Sequence, residues 1–438
     1  MPSYQITGGE RLTGEVSISG SKNAVLGILA AAMMLDGPCI LENVPDIADV
    51  RAMLEICETL GAVITPLDDG MFKIDPTTIN TYEATHEKVK NIRASYYLLG
   101  ALLARYRKAT MHMPGGCNFG TRPIDLHLKG FAKLGAKGTD LSAIRNGIIR
   151  IEAERLVGTH IFLDVVSVGA TINIMLAATK AIGWTTIENA AKEPHIVDVA
   201  NFLNSMGANI KGAGTDTIRI MGVPVLPGGF SYSIIPDQIE AGTYMIAAAV
   251  TRGDVTVKNL IPKHMEPLSV KMVEMGFDIE ENDDSIRVSI PEGRAVMPVN
   301  FKTMPYPGFP TDLQPQATVL LCMAEGLSRM YENVWDNRFQ YVTELQTMGA
   351  NISVIDRIAL VTGPTHLNGS GVVAMDLRAG AAMVLAALAA EGVTEISEAQ
   401  RVERGYEKIV EKLTALGAKM IRVEDKEPEC PKVDMNGF

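Results

Sequence analysis

Hydrophobic and polar positions along the chain fall into one pattern repeated six times. Each copy holds a run that is apolar nearly all round: Lys22–Leu35, Arg93–Arg105, Ala170–Ala181, Ile239–Thr251, Leu313–Ala324 and Ala379–Ala390. Such runs predict buried helices. Each copy then holds a second, mixed run that closes on Leu-Gly-Ala or Met-Gly-x: Asp49–Ala62, Asp125–Ala136, Val197–Ala208, Glu266–Phe277, Gln340–Ala350 and Tyr406–Ala418. The mixing of apolar and charged positions, as in Tyr406–Leu413, predicts helices nearer the surface. The closing glycines are Gly61, Gly135, Gly207, Gly276, Gly349 and Gly417. They stand where a helix end calls for a left-handed residue. β-branched residues follow at once (Val63-Ile64, Asn209-Ile210, Asn351-Ile352), so a strand begins there. The unit reads strand–helix–strand–helix–strand–strand, with a period of roughly 70 residues, longer than the common solenoid repeats.

Six units divide into three and three. Val16-Ser-Ile-Ser-Gly-Ser-Lys22 aligns with Tyr232-Ser-Ile-Ile-Pro-Asp-Gln238, and each opens a buried helix that ends at Gly37 or Gly253. Domain junctions are therefore expected near Ser21 and Pro236. One domain is expected over 22–235, and a second over 236–423 together with 1–21. The first twenty residues are expected to pair back into that second domain. Residues 424–438 read as a disordered tail. Two domains joined by two strands make a cleft, and such clefts are default ligand sites.

Composition narrows the function. The chain has 438 residues, too many for one core, and 47% of them are hydrophobic, enough for two. Its net charge of −11 argues against binding nucleic acid or an anionic membrane by overall charge. Apolar runs of about a dozen residues fall short of the roughly 20 that span a bilayer. The start, Met-Pro-Ser-Tyr-Gln, shows no basic segment leading into an apolar one, so the expected location is the cytoplasm. Five scattered cysteines fit neither a disulfide framework nor a CxxC site. The seven histidines form no metal-binding spacing, and no Walker or dinucleotide loop is present, so neither a metal nor a cofactor is expected.

Four places break the repeat. Gly20-Ser21-Lys22-Asn23 begins a buried helix; it is an ordinary N-cap with a solvated lysine or an anion site. Pro114-Gly-Gly-Cys117-Asn-Phe-Gly-Thr-Arg122-Pro-Ile-Asp-Leu-His127 puts a thiol in a glycine-rich loop near an arginine. That makes Cys117 either a reactive thiol or a small residue in a tight loop, whereas Cys57 and Cys322 on apolar helix positions read as core. His127 reads as a polar residue on a helix face. Tyr306-Pro-Gly-Phe-Pro-Thr-Asp312 approaches a helix; Asp312 is a cap, or a base if it faces the cleft. Arg93, Arg338, Arg378 and Arg404 are surface charges singly, but gathered in a cleft they bind phosphate and carboxylate.

At these places the chain resembles the UDP-N-acetylglucosamine 1-carboxyvinyltransferases, a family of EPSP synthase-like enolpyruvyl transferases. The resemblance runs from about Tyr4 to Val423. It is carried by Gly20–Ala24, Arg93-Ala-Ser95, Pro114–Cys117, Arg122–His127, Val166–Thr171, Pro307–Gln314, Asn337-Arg-Phe339, Asp376-Leu-Arg378 and Arg404-Gly-Tyr406. It implies an α/β fold of two inside-out, barrel-like domains, each of three βαβαββ units, joined by a two-strand hinge. It also implies transfer of the enolpyruvyl group of phosphoenolpyruvate to the 3-hydroxyl of UDP-N-acetylglucosamine, the opening step of peptidoglycan precursor synthesis. In that picture Cys117 protonates the methylene carbon and Asp312 takes or orients the sugar hydroxyl proton. Lys22, Asn23, Arg122, Arg378 and Arg404 hold phosphoenolpyruvate, with Arg93 in support. Arg93, Arg122, Pro123, Ile124, Asp125, Leu126, Ser167, Val168, Gly169, Asp312 and Val334 line the UDP-sugar site.

Three places depart from the family pattern. Val165 and Ala48 stand where lysines are common, which thins the positive charge near a diphosphate, and Trp335-Asp336 stands where Phe-Glu is common. The shikimate-pathway enolpyruvyl transferases share the fold but lack the Cys-bearing Pro-Gly-Gly loop, so Pro114–Cys117 decides against them. Two alternatives stay open: an enolpyruvyl transferase acting on another sugar nucleotide or nucleotide, and a non-catalytic binding paralogue. Retention of Cys117, Asp312 and the arginines argues against the last.

Overall fold

The computed structural model describes residues 2–113, 124–141, 144 and 146–424. Cys117, Arg122, Pro123 and the stretch 425–438 lie outside the described residues. All six closing glycines adopt the left-handed backbone expected of them, with φ of 102°, 102°, 103°, 98°, 98° and 102° in chain order. A Cβ there is disfavoured, so glycine ends each helix and turns the chain into the next strand.

Among the described residues the strands form six small sheets, five of four strands and one of three. One sheet shows the plan. Trp184–Glu188 pairs in parallel with His160–Phe162 and antiparallel with Thr217–Met221, whose far edge pairs with Asn209–Lys211. In sequence order that is first, second, fourth and third strand of the unit. The N-terminal segment completes two other sheets. Ser3–Thr7 lies between Val393–Ser397 and Lys419–Val423 as the last unit's fourth strand. Thr13–Ser17 pairs in parallel with Asp254–Lys258 as the fourth unit's first strand. Ser231–Ser233 plays that first-strand part beside Cys39–Glu42.

Inside the sheets lie the apolar helices. Lys22–Ala32, Tyr97–Tyr106 and Val168–Ala178 pack together, as do Gln238–Val250, Gln314–Leu321 and Leu377–Ala389. Buried apolar side chains form two clusters. One draws on Ala24 through Ile234, and the other on Tyr4 through Ile18 together with Ile239 through Met420. Close helix contact depends on small residues. Asn173 Oδ1 accepts from the Gly100 backbone N–H at 2.8 Å, and any Cβ at Gly100 would run into Asn173.

Two elements differ from the sequence reading. The run from Tyr406 becomes α-helix only over Ile409–Ala415, because Lys408 sits at φ 48° and breaks the helical path. The third unit's second helix, Pro194–Ser205, is buried along most of its length, since it packs on Lys22–Ala32 as well as on its own sheet. Among the described residues no helix is long and apolar enough to cross a membrane.

Candidate active site

The two chain crossings meet side by side. Gly20 and Pro236 form an antiparallel bridge, Ser21 N–H donates to Ile235 O at 2.7 Å, and Asp237 N–H donates to Ser19 O at 2.9 Å. From this crossing the helices Lys22–Ala32 and Gln238–Val250 depart. Ser21 caps the first by accepting from Ala24 N–H, and Asp237 caps the second through Ile239 and Glu240. Asp237 also accepts from the Lys22 N–H at 2.9 Å. Ser21 is thus the N-cap that its type suggests.

Lys22 is not a solvated side chain. Its Nζ lies 2.8 Å from Asp49 Oδ2, with 12% of the lysine side chain and 6% of the aspartate exposed. Arg404 approaches the same carboxylate from the other core, Nε to Oδ1 at 2.8 Å and Nη2 to Oδ2 at 3.3 Å. Burial raises the Asp49 carboxyl, but Lys22 and Arg404 outweigh it and hold it below the usual range. Two cations around one carboxylate leave a net positive charge facing an incoming anion. Gly405 makes room: a Cβ there would lie 3.2 Å from Lys22 Cδ and 2.8 Å from Leu377 Cδ2. Asn23, the next helical residue, is half-buried beside Lys22.

Leu377 leads to a second cluster. Arg378 Nη2 lies 3.2 Å and Nε 3.4 Å from Asp312 Oδ2, and Arg338 Nη2 lies 3.5 Å from Oδ1. Both arginine side chains are buried, whereas Asp312 keeps 32% of its side chain exposed. Asp312 sits within the 3-10 turn Thr311–Leu313, and neither that turn nor the helix Gln314–Leu321 has a side-chain cap. Asp312 is the N-cap residue of neither element; its half-buried carboxylate is oriented by two buried guanidiniums. Arg378 rests over the Tyr406 ring at 5.5 Å, and Tyr406 Oη is held by Thr243 Oγ1 at 2.8 Å and Gln316 Nε2 at 3.1 Å. Arg378 Nη1 is buried and makes no hydrogen bond among the described residues.

A third group gathers at the helix Val168–Ala178. Ser167 caps it through Ala170 N–H at 3.3 Å. Gly169 faces Tyr96 and His127, where a Cβ would fall 2.6 Å from Tyr96 Oη and 3.0 Å from His127 Nε2. Arg93 lies over the Tyr96 ring at 5.8 Å. His127 is buried, and burial, aided by Arg93, pushes its imidazole down to about 3. It is neutral at physiological pH, with Nδ1 bonded to Asn173 Nδ2 at 2.9 Å. Ile124 is buried, Leu126 half-buried and Asp125 exposed at the start of the helix Asp125–Lys133. Val334 and Val165 are both exposed. Ala48, whose N–H donates to Glu403 O at 3.2 Å, brings a backbone contact to a place where the family pattern favours lysine.

The structure thus joins Lys22 to Arg404, Asp312 to Arg378, and Arg93 to the Ser167–Gly169 helix start. Sequence reasoning missed Asp49 and His195. His195 is buried, and burial lowers its imidazole against the pull of Glu193, Asp312 and Asp237. An acid in a helix's first turn looks like an ordinary partner of the helix dipole, so nothing singled out Asp49. Among the described residues no cluster of three acidic, histidine or cysteine side chains is placed to hold a metal.

Comparison with known proteins follows the same lines. A family profile described as EPSP synthase (3-phosphoshikimate 1-carboxyvinyltransferase) matches residues 6–413. UDP-N-acetylglucosamine 1-carboxyvinyltransferase 3 of Caldanaerobacter subterraneus subsp. tengcongensis is 54% identical over 97% of this chain and 100% of its own length. UDP-N-acetylglucosamine 1-carboxyvinyltransferase of Clostridium botulinum is 53% identical over 97% and 100%. Among solved structures, the enolpyruvyl transferase NikO from Streptomyces tendae superposes with a TM-score of 0.88 at 28% identity, over 97% of this chain and 99% of that one. EPSP synthase from Acinetobacter baumannii superposes at 0.75 with 19% identity over 97% and 100%, a likeness of fold.

Proposed function

Because the chain belongs to the EPSP synthase family, we propose that it transfers the enolpyruvyl group of phosphoenolpyruvate to the 3-hydroxyl of UDP-N-acetylglucosamine and releases phosphate. The observation that carries this reading is the 54% identity, across 97% of the chain, to a UDP-N-acetylglucosamine 1-carboxyvinyltransferase. The place of the reaction is peptidoglycan precursor synthesis, hence cell-wall growth and division, and its compartment is the cytoplasm.

In this reading the chemistry is addition followed by elimination. Cys117 gives a proton to the methylene carbon of phosphoenolpyruvate while the sugar 3-oxygen bonds to the neighbouring carbon. Asp312 accepts the hydroxyl proton. Loss of a methyl proton and of phosphate then restores the double bond. A thiol with an ordinary value near 8.5 is mostly protonated at neutral pH and so can donate. Asp312 suits a base because its carboxylate is partly open to solvent while two buried arginines fix its direction.

The phosphate falls to Lys22, Arg122 and Arg404, whose pairing with Asp49 keeps Lys22 and Arg404 in place before substrate arrives. The carboxylate falls to Arg378, which has a buried donor to spare. Asn23 supports the same pocket. Arg93, Arg122–Leu126, Ser167–Gly169, Asp312 and Val334 take the sugar nucleotide, with the helix start at Val168 favouring its diphosphate. The domains read as 22–235 and 1–21 with 236–423, closing around both substrates at the Gly20–Pro236 crossing. The test is phosphate release from phosphoenolpyruvate with UDP-N-acetylglucosamine, other UDP-sugars and shikimate 3-phosphate as acceptors. Release that depends on UDP-N-acetylglucosamine supports the reading; release with another acceptor alone overturns it.

A further inference from the structure

At one position the fifth unit departs from the first, third and fourth; the sixth carries Glu398 there, in the left-handed backbone at φ 62°. In the first, third and fourth units the second strand ends on Glu42, Glu188 and Lys258, whose carbonyls accept from Ile234, Leu163 and Ile18 N–H. The next residue in each is an asparagine, Asn43, Asn189 or Asn259, with φ of 56°, 55° and 55°. Each donates Nδ2 to the neighbouring strand's carbonyl: Asn43 to Ile234 O at 2.8 Å, Asn189 to Leu163 O at 2.8 Å, and Asn259 to Ile18 O at 2.6 Å.

In the fifth unit Tyr331 O accepts from Thr303 N–H at 2.9 Å, so the asparagine position falls on Glu332. Glu332 does not share the left-handed backbone. The bond to the neighbouring carbonyl passes to Asn333, whose Nδ2 reaches Thr303 O at 3.0 Å. Glu332 itself turns inward and is 1% exposed. Its Oε1 accepts from Thr303 Oγ1 at 2.9 Å, Val334 N–H at 2.8 Å and Trp335 N–H at 3.0 Å. Its Oε2 accepts from Thr311 Oγ1 at 2.9 Å. Burying a carboxylate is costly unless its lone pairs are filled, and here four donors fill them. A plain strand turn, as the first, third and fourth units show, needs only the asparagine.

We propose that Glu332 is a positioning residue that sets the Thr311–Asp312 turn and the Val334 loop as one unit, so that the base and the sugar-nucleotide contact move together. This rests on the reading of Asp312 and Val334 given above. Glu332→Gln preserves most of the arrangement: its amide oxygen serves the three donors at Oε1, and its NH2 donates to Thr311 Oγ1. Glu332→Met loses all four bonds. Thr311→Val loses only the link to Asp312's turn.

Steady-state kinetics and amide exchange on the full-length protein separate these roles. Glu332→Met is expected to lower kcat at least about tenfold and raise KM for UDP-N-acetylglucosamine about fivefold, with KM for phosphoenolpyruvate unchanged, as for a small misplacement of reacting groups. Thr311→Val is expected to lower kcat alone, and Glu332→Gln to recover most of both. Exchange at the Val334 and Trp335 amides is expected to quicken in Glu332→Met and stay slow in Glu332→Gln. If Glu332→Met does not fold, Thr311→Val with unchanged kcat overturns the assignment. So does equal impairment of Gln and Met variants, or unaltered amide exchange. Wild-type protein that fails to use UDP-N-acetylglucosamine refutes the acceptor, and the exchange result still decides whether Glu332 couples the two segments.

Discussion

Replacing Asp49 by asparagine removes the carboxylate that Lys22 and Arg404 share and leaves two cations facing each other. Breaking a buried ion pair costs about 3–5 kcal/mol. Lys22 and Asp49 are nearly closed to solvent, but the Arg404 side chain is 27% exposed. Solvent screening on that side places the expected loss at the low end, about 3 kcal/mol. Anion binding should move the other way. A phosphate about 4 Å from Asp49 is repelled by about 4 kcal/mol per unit charge at an effective dielectric of 20. Some of that is offset because Asp49 keeps Lys22 and Arg404 in position, so the variant should bind inorganic phosphate about tenfold more tightly, a change of about 1.4 kcal/mol. Urea unfolding with and without phosphate reads both quantities. The pH dependence has a fixed sign. Asp49 is held below its ordinary value, so its stabilisation is present above the unfolded carboxyl's value of about 3.9 and is lost as pH falls through the lower folded value. The gap between wild type and Asp49→Asn should therefore stay constant from neutral pH to about pH 4 and close only below it. Phosphate bound more weakly by a well-folded variant would refute the expectation that repulsion by Asp49 outweighs its hold on Lys22 and Arg404.

Asp312→Asn should keep the fold and bind UDP-N-acetylglucosamine within a few-fold of wild type by calorimetry, yet lose about 10²-fold or more in turnover, since an amide cannot accept the proton; near-wild-type turnover would make Asp312 an anchor for Arg378 only. Burial pushes the thiols of Cys39, Cys57 and Cys322 up to about 12, so alkylation of the native protein at pH 8 followed by peptide mass spectrometry should leave all three unmodified and label Cys117 first. Burial raises the Asp198 carboxyl to about 6 against the opposing bonds from Tyr232 and Ile235. Its folded value exceeds the unfolded one, so stability should fall as pH rises from about 4 to 6, and Asp198→Asn should flatten that slope in thermal melts.

Much of the fold is legible because its signals are local. A glycine in the left-handed region ends a helix whatever surrounds it, and six such glycines mark six units. An apolar face all round announces a buried helix before its neighbours are known. Strand partnership is not local. The chain start was expected to pair with the second half, but its division between two sheets, Ser3–Thr7 in one and Thr13–Ser17 in another, depends on contacts hundreds of residues away. The same distance hides the site. Lys22, Arg378, Arg404 and Asp312 stand out as charges at helix starts or in breaks of the repeat, whereas Asp49 acquires its meaning only when Arg404 arrives from the other core. Glu332 was within reach of closer reading. Asparagines at 43, 189 and 259 recur at one position of the unit, and a glutamate in their place is visible in the sequence; its inward turn is visible only in the folded chain.

What defines this enzyme is the bond that it makes. Carbon-13-labelled phosphoenolpyruvate, UDP-N-acetylglucosamine and the full-length protein, followed by NMR, report it directly. The expected product is a labelled enolpyruvyl ether whose C2 couples through the ether oxygen to H3 of the N-acetylglucosamine ring, formed in step with inorganic phosphate. Phosphate release without that ether, or label attached to any other acceptor position, would contradict it.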